Sequence, residues 1–259
     1  MARHVPIAPR ARRGALVLGH RGASAEAPEN TLAAFRLALA QGADGFELDA
    51  WRCRSGEVVV GHDERTGRVA GVDLRIPDAS LADLRALDVG AWKGEAFRGE
   101  RMPLLEEVLE AFPAAVVNVE LKSRGGDLRL ASAAARIVAR AGAGGRVLVS
   151  SFDWSLLVAF RIAAPAVPVG LLFDGDHPWR LRLAGAIRLM GPSAVHPERR
   201  LLTAARARAW NERGLAVNVW TVDDPDEARA LAALGAAGII TNVPARIRQA
   251  MTASAGAAG

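Results

Sequence analysis

The chain has 259 residues, 51% hydrophobic and 24% charged, a length that suits one large α/β barrel or two small domains. Lys and Arg number 33 against 28 Asp and Glu, so the net charge of +5 is modest for this length, and lysine occurs only at Lys93 and Lys122. The scattered arginines form no stripe of the kind nucleic acid needs, no uncharged apolar run reaches the ~18 residues of a membrane span, and a single cysteine, Cys53, excludes an internal disulfide and a cysteine-based zinc site.

Residues 1–13 read as a basic N-terminal tail, and the apolar stretch 15–18 behind them is too short for a signal-peptide core, so the cytoplasm is the expected location. Short apolar runs follow at 15–20, 45–50, 57–62, 115–121, 146–151, 167–172, 193–196, 215–220 and 237–241. Helical patterns rich in Ala, Leu and Arg alternate with them at 31–41, 103–112, 128–141, 154–163, 179–190, 203–213 and 225–235. Strand–helix alternation of this kind predicts a parallel sheet covered by helices. Nine runs exceed an eight-stranded barrel by one. The Ser55-Gly56 turn signal resolves this by making 57–62 the return of a hairpin on the second strand. The expected fold is therefore a (β/α)8 TIM barrel over 14–250, with 63–102 as a small insertion after the second strand and 251–259 as a disordered tail. A doubly wound sheet is the alternative, weakened because no GxGxxG follows the first strand.

Barrel strands should be almost wholly apolar, yet these end in polar residues: His20-Arg21, His62-Asp63, Lys122, Ser150-Ser151, His196, Asn218 with Trp220, and Thr241-Asn242. Catalytic groups of barrel enzymes come from such C-terminal strand ends. Glu47 and Asp49 lie two apart and leave the same face of their strand, and Glu120 with Lys122 repeats the pattern one barrel strand later. Three converging carboxylates repel one another, and one divalent cation with an all-oxygen ligand set, Mg²⁺ or Ca²⁺, relieves them. Pairing with some of the many arginines is the alternative. His20 and His62 at strand mouths suit acid–base work, while Arg21 and Lys122 suit an anionic group such as phosphate.

In chain order, His20-Arg21-Gly22, Pro28-Glu29-Asn30-Thr31, Glu47-Leu48-Asp49, His62-Asp63, Glu120-Leu121-Lys122 and Trp220-Thr221-Val222 resemble the signature of the glycerophosphodiester phosphodiesterases, over about residues 14–248. The resemblance implies metal-dependent hydrolysis of a small-molecule glycerophosphodiester to glycerol 3-phosphate and an alcohol. Glu47, Asp49 and Glu120 would hold the metal, and His20 and His62 would be the acid–base pair. Arg21 and Lys122 would grip the phosphate, Trp220 would line the glycerol side, and Glu29 and Asn30 would organise the mouth. Asn30 or Thr31 also reads as the N-cap of the first helix, with Glu29 suiting its positive end. The attacker implied is the glycerol 2-hydroxyl, with His20 as base and His62 as acid. Many members end the last strand on aspartate, so Asn242 stays outside the expected catalytic set. Trp51, Cys53 and Arg54 replace milder residues and are expected to affect only the pocket wall.

Two other readings compete: a lysophospholipase D-like phosphodiesterase, with 179–190 touching a membrane surface, and a glycerophosphate-binding barrel without catalysis. Neither nucleic acid nor stable membrane insertion is expected, and nothing in the sequence specifies an oligomeric state. Asp174-Gly175-Asp176-His177 reads as a turn rather than a second cation loop. His196 reads either as pocket wall or as structure, Cys53 as inert, and Trp92, Trp154 and Trp210 as packing residues.

Overall fold

A computed structural model describes residues 14–123, 126–175 and 191–256. The tail 1–13, the helix expected at 179–190, Asp176 and His177 lie outside the described residues. Eight strands close into a parallel barrel: β1 (Leu16–His20), β2 (Gly45–Arg52), β4 (Val116–Leu121), β5 (Val147–Ser151), β6 (Val169–Phe173), β7 (Ala194–Pro197), β8 (Ala216–Val219) and β9 (Gly238–Thr241), which returns to β1. The ninth run is the short β3 (Val58–Val60), antiparallel to the end of β2, as the Ser55-Gly56 turn requires. Helices α1 (Leu32–Ala40), α4 (Leu105–Ala111), α5 (Leu128–Arg140), α6 (Trp154–Ala163), α7 (Ala204–Asn211) and α8 (Pro225–Ala233) lie between strands. No helix among the described residues is long and apolar enough to cross a membrane.

Alternation along each strand sorts side chains into two layers. Phe46, Leu48 and Ala50 of β2 and Val117, Val119 and Leu121 of β4 face outward into the main core beneath the helices. Phe46 stacks on Phe35 of α1 at 4.3 Å between ring centroids and meets Phe112 edge-on at 5.3 Å. The intervening residues Glu47, Asp49, Asn118 and Glu120 are thereby sent into the barrel. A smaller inner cluster of Leu18, Leu148, Ala194, Ala216, Ala237 and Ile240 fills its lower part. Burial on both sides explains why most strands read as continuous apolar runs.

Between β3 and α4, residues 63–102 carry α2 (Gly67–Ala70) and α3 (Leu81–Arg85) among short 3₁₀ turns. They have their own satellite core, in which Trp51, Cys53 and Val59 of the hairpin pack with Ile76, Leu84, Val89 and Met102. Cys53 thus belongs to the insertion's anchorage rather than to the pocket wall. One element differs from the sequence reading: the last helix, α9, runs Pro244–Gly256, into the stretch assigned to a disordered tail. Its small Ala-rich composition carries little amphipathic signal, and the helix is held instead by packing Ile247 into the main core.

Gly45 shows how tight closure is. A Cβ at this position would lie 1.8 Å from the Val116 carbonyl oxygen across the β2–β4 ladder. Gly45→Ala should destabilise the barrel by about 3 kcal/mol, the upper end for an overpacked interior, as read by chemical denaturation.

Candidate active site

The C-terminal ends of β1, β2 and β4 build the centre of the site. β2 and β4 pair in register, with Glu47 beside Asn118 and Asp49 beside Glu120, and β1 sets His20 beside Glu47. Oxygens of Glu47, Asp49 and Glu120 consequently lie within 4.8 Å of one another, and all three residues are buried. Such crowding costs energy unless something compensates it.

Two cations and one shaped loop, between β1 and α1, supply part of that compensation. Lys122 Nζ lies 2.6 Å from Glu120 and 3.1 Å from Asp49. Arg21 takes a left-handed backbone, with φ of 56°, which aims its N–H at Glu47 Oε2 at 3.0 Å while its Nε sits 3.3 Å from Asp49. Asn30, also left-handed at φ 59°, donates its amide to Asp49 Oδ2 at 2.8 Å and accepts from the Asp49 N–H at 3.2 Å. The helix N-cap is therefore Thr31, whose hydroxyl accepts from Ala34, and Asn30 serves the site instead. Glu29 faces Arg21 and Arg68 rather than the helix end, and Arg68 also binds Asp63.

The protonation pattern follows. Burial works against every charge here, yet Lys122, Arg21 and the Asn30 amide hold Asp49 well below the usual carboxylate range. Glu47 goes the other way, pushed up by burial and then by Asp49 and Glu120. Glu120 is raised to about 7, by burial first, with Lys122 opposing and Asp49 adding. Lys122 is buried too, but Asp49 and Glu120 overcome that penalty and raise its pKa. Pairing with arginine, the alternative weighed from sequence, is met in part by Arg21 at Asp49, but three ionised carboxylates would still outnumber Arg21 and Lys122 by one. Glu47 Oε1 has no hydrogen-bond partner among the described residues. An orphaned carboxylate oxygen beside two further carboxylates is a donor set that fits a hard divalent cation.

The two histidines face this centre from different surroundings. His20 Nδ1 contacts Asn242 Oδ1 at 2.8 Å, and burial, then Arg21, lowers its pKa to about 4, so its ring is neutral at pH 7. His62 Nδ1 contacts the Asp63 carboxylate at 2.8 Å; burial lowers its pKa, while Asp49 and Asp63 oppose the fall. Trp51 donates its indole N–H to the His62 carbonyl at 3.1 Å and so fixes that corner.

His20, Arg21, Glu47, His62, Glu120, Lys122 and Trp220 line one cavity of about 220 Å³, together with Asn118, Phe152, Leu172 and Ile240. A wider groove of about 800 Å³ adjoins it past His62, Lys122 and Phe152. Trp220 meets Phe152 edge-on at 5.7 Å and donates to the His196 carbonyl at 2.8 Å. His196 itself is fully buried inside the barrel, where its Nε2 accepts from Asn218, and does not line the cavity. Trp210 packs on Phe173 as expected. Trp154 is instead 41% exposed on the groove wall, and Trp92, 43% exposed, carries Lys93 above its ring. Sequence reasoning gave no role to Asn118, Phe152, Arg68, Asp223 or Asn242; the signals available were the polar Asn118 on an apolar strand and Asn242 at the end of the last one.

The whole strand–loop pattern recurs in known proteins. The family model for the glycerophosphoryl diester phosphodiesterase family matches residues 20–246. A glycerophosphodiester phosphodiesterase of Caldanaerobacter subterraneus is 34% identical over 238 residues, covering 88% of this chain and 94% of its own. One from Bacillus subtilis is 29% identical over 246 residues, covering 88% and 84%. A phosphodiesterase of Oleispira antarctica, solved in complex with the product sn-glycerol-3-phosphate, superposes with a TM-score of 0.83 at 27% identity, covering 92% of this chain and 97% of its own. The chain belongs to the glycerophosphoryl diester phosphodiesterase family.

Proposed function

We propose that the protein hydrolyses glycerophosphodiesters to glycerol 3-phosphate and an alcohol, using His20 and His62 as its acid–base pair. The observation that carries this reading is one 220 Å³ cavity lined by both histidines, two carboxylates of the buried triad, Arg21 and Lys122. The product held by the Oleispira neighbour supports the substrate class. A binding barrel without catalysis has no use for two histidines held in such different environments.

Glu47, Asp49 and Glu120 would hold one divalent cation, Mg²⁺ or Ca²⁺, which supplies neutralisation of charge on the phosphoryl oxygens. Arg21 and Lys122, each fixed by carboxylates, present positive charge to the phosphate, and Trp220 offers a flat apolar wall to the glycerol carbons. His20, neutral and facing a neutral amide, takes the proton of the glycerol 2-hydroxyl as that oxygen bonds to phosphorus. His62 gives a proton to the departing alkoxide as the second phosphorus–oxygen bond breaks, and Asp63 stabilises its cationic form beforehand. Water then opens the cyclic phosphate with the roles exchanged: His62 accepts the water proton and His20 returns one to the 2-oxygen. Internal attack benefits from proximity.

His20→Ala and His62→Ala should each lower kcat by ~10²-fold or more in a glycerophosphocholine assay, the usual scale for acid–base groups; near-normal turnover in either would remove it from the mechanism. Chelation with EDTA should abolish activity, and Mg²⁺ or Ca²⁺ should restore it. Because Glu47 is raised and Glu120 sits at about 7, cation binding must displace protons below that pH. Calorimetry in two buffers of different ionisation heat should show proton release at pH 6 that declines by pH 8. The Lys122 ammonium meets Glu120 at 2.6 Å and Asp49 at 3.1 Å as a compact point charge, a geometry that a longer, planar guanidinium does not reproduce. Lys122→Arg should therefore lower kcat/KM by about tenfold or more, and a fully active variant would show that any cation serves.

A further inference from the structure

Asn242 and Asp223 lie at the end of β9 and in the loop after β8, and neither lines the cavity. Their hydrogen bonds leave one consistent arrangement of protons. The Asp223 carboxylate, an acceptor only, receives the Asn242 side-chain N–H at 2.7 Å on Oδ2. Its Oδ1 receives the Thr241 hydroxyl at 2.9 Å and the Asn242 backbone N–H at 2.8 Å. A reversed amide would place two acceptors 2.7 Å apart, so Asp223 dictates which end of Asn242 faces the site. The end that does so is Oδ1, which accepts the Ser24 hydroxyl at 2.8 Å and meets His20 Nδ1 at 2.8 Å. An amide oxygen cannot donate. His20 must therefore carry its proton on Nδ1, which leaves the Nε2 lone pair as the base.

We propose that Asp223 and Asn242 are positioning residues that lock His20 in its Nδ1–H tautomer, with Ser24 completing the lock. This rests on the assignment of His20 as the base and explains how that base is kept ready. Ser24 is tied in turn to the insertion, because Lys93 Nζ donates to its carbonyl at 2.7 Å. The final strand, the first loop and the insertion therefore meet on one imidazole.

Ring-¹⁵N histidine labelling tests the lock directly, with the His20 signals assigned by their loss in His20→Gln. The wild-type protein should show His20 protonated on Nδ1 and bare on Nε2. Asp223→Asn frees the Asn242 amide to turn, so both tautomers should appear and kcat should fall at least about tenfold with KM within about twofold. The double variant Asp223→Asn with Asn242→Asp exchanges carboxylate and amide, retains an acceptor toward His20, and should restore the single Nδ1–H tautomer. An Nε2–H tautomer in the wild-type protein, or an unchanged His20 spectrum in Asp223→Asn, overturns the proposal. The spectra need no substrate, so failure of the lock is distinguishable from failure of the base assignment, which full turnover in His20→Ala would reveal.

Discussion

Three carboxylates held within 4.8 Å of one another in a buried barrel mouth set the terms for everything around them. Their approach is imposed by the backbone, because β2 and β4 pair with Asp49 opposite Glu120, and packing of the outward residues leaves no other direction for them. Repulsion in a poorly solvated space must be met by cations, donors or protons. Each is present. Arg21 and Lys122 supply charge, the Arg21 N–H and the Asn30 amide supply donors, and Glu47 and Glu120 retain protons more readily than usual. The left-handed backbones of Arg21 and Asn30 belong to the same account, since they turn polar groups of the first loop toward the carboxylates.

That charge balance also separates the histidines. Both rings are opposed by burial, but a neutral amide contacts His20 whereas a carboxylate contacts His62. A ring paired with an amide remains a neutral acceptor, and one paired with a carboxylate tolerates a positive charge. In the proposed mechanism, what stands behind each imidazole is what divides base from acid. The insertion contributes to both sides: Arg68 binds Asp63 behind His62, and Lys93 holds the loop that carries Ser24 behind His20.

Much of the fold was legible because periodicity and turn chemistry are local. The nine strand runs and the hairpin turn at Ser55-Gly56 follow from alternation and a Gly signal, and the structure realises them. The helix Pro244–Gly256 was not legible, since an Ala-rich segment of low amphipathicity becomes helical through docking rather than patterning. Within the site, Glu47, Asp49 and Glu120 were readable from their two-residue spacing and their neighbours on apolar strands. Asn30, in contrast, reads locally as a cap, and only the family resemblance gave it to the mouth; its bond to Asp49 belongs to the tertiary structure.

The sequence by itself determined which side chains leave the strand ends and on which face, because a strand's period of two is a property of the backbone. Only the tertiary structure decided what those side chains mean to one another. Asn242 is 222 positions from His20 and Arg68 is 39 from Glu29, separations that no local pattern spans. Barrel closure brings β9 against β1, and the insertion, packed on the β2–β3 hairpin, sets Arg68 beside Glu29. Charge, proton position and tautomer are therefore settled by contacts that exist only once the barrel has closed.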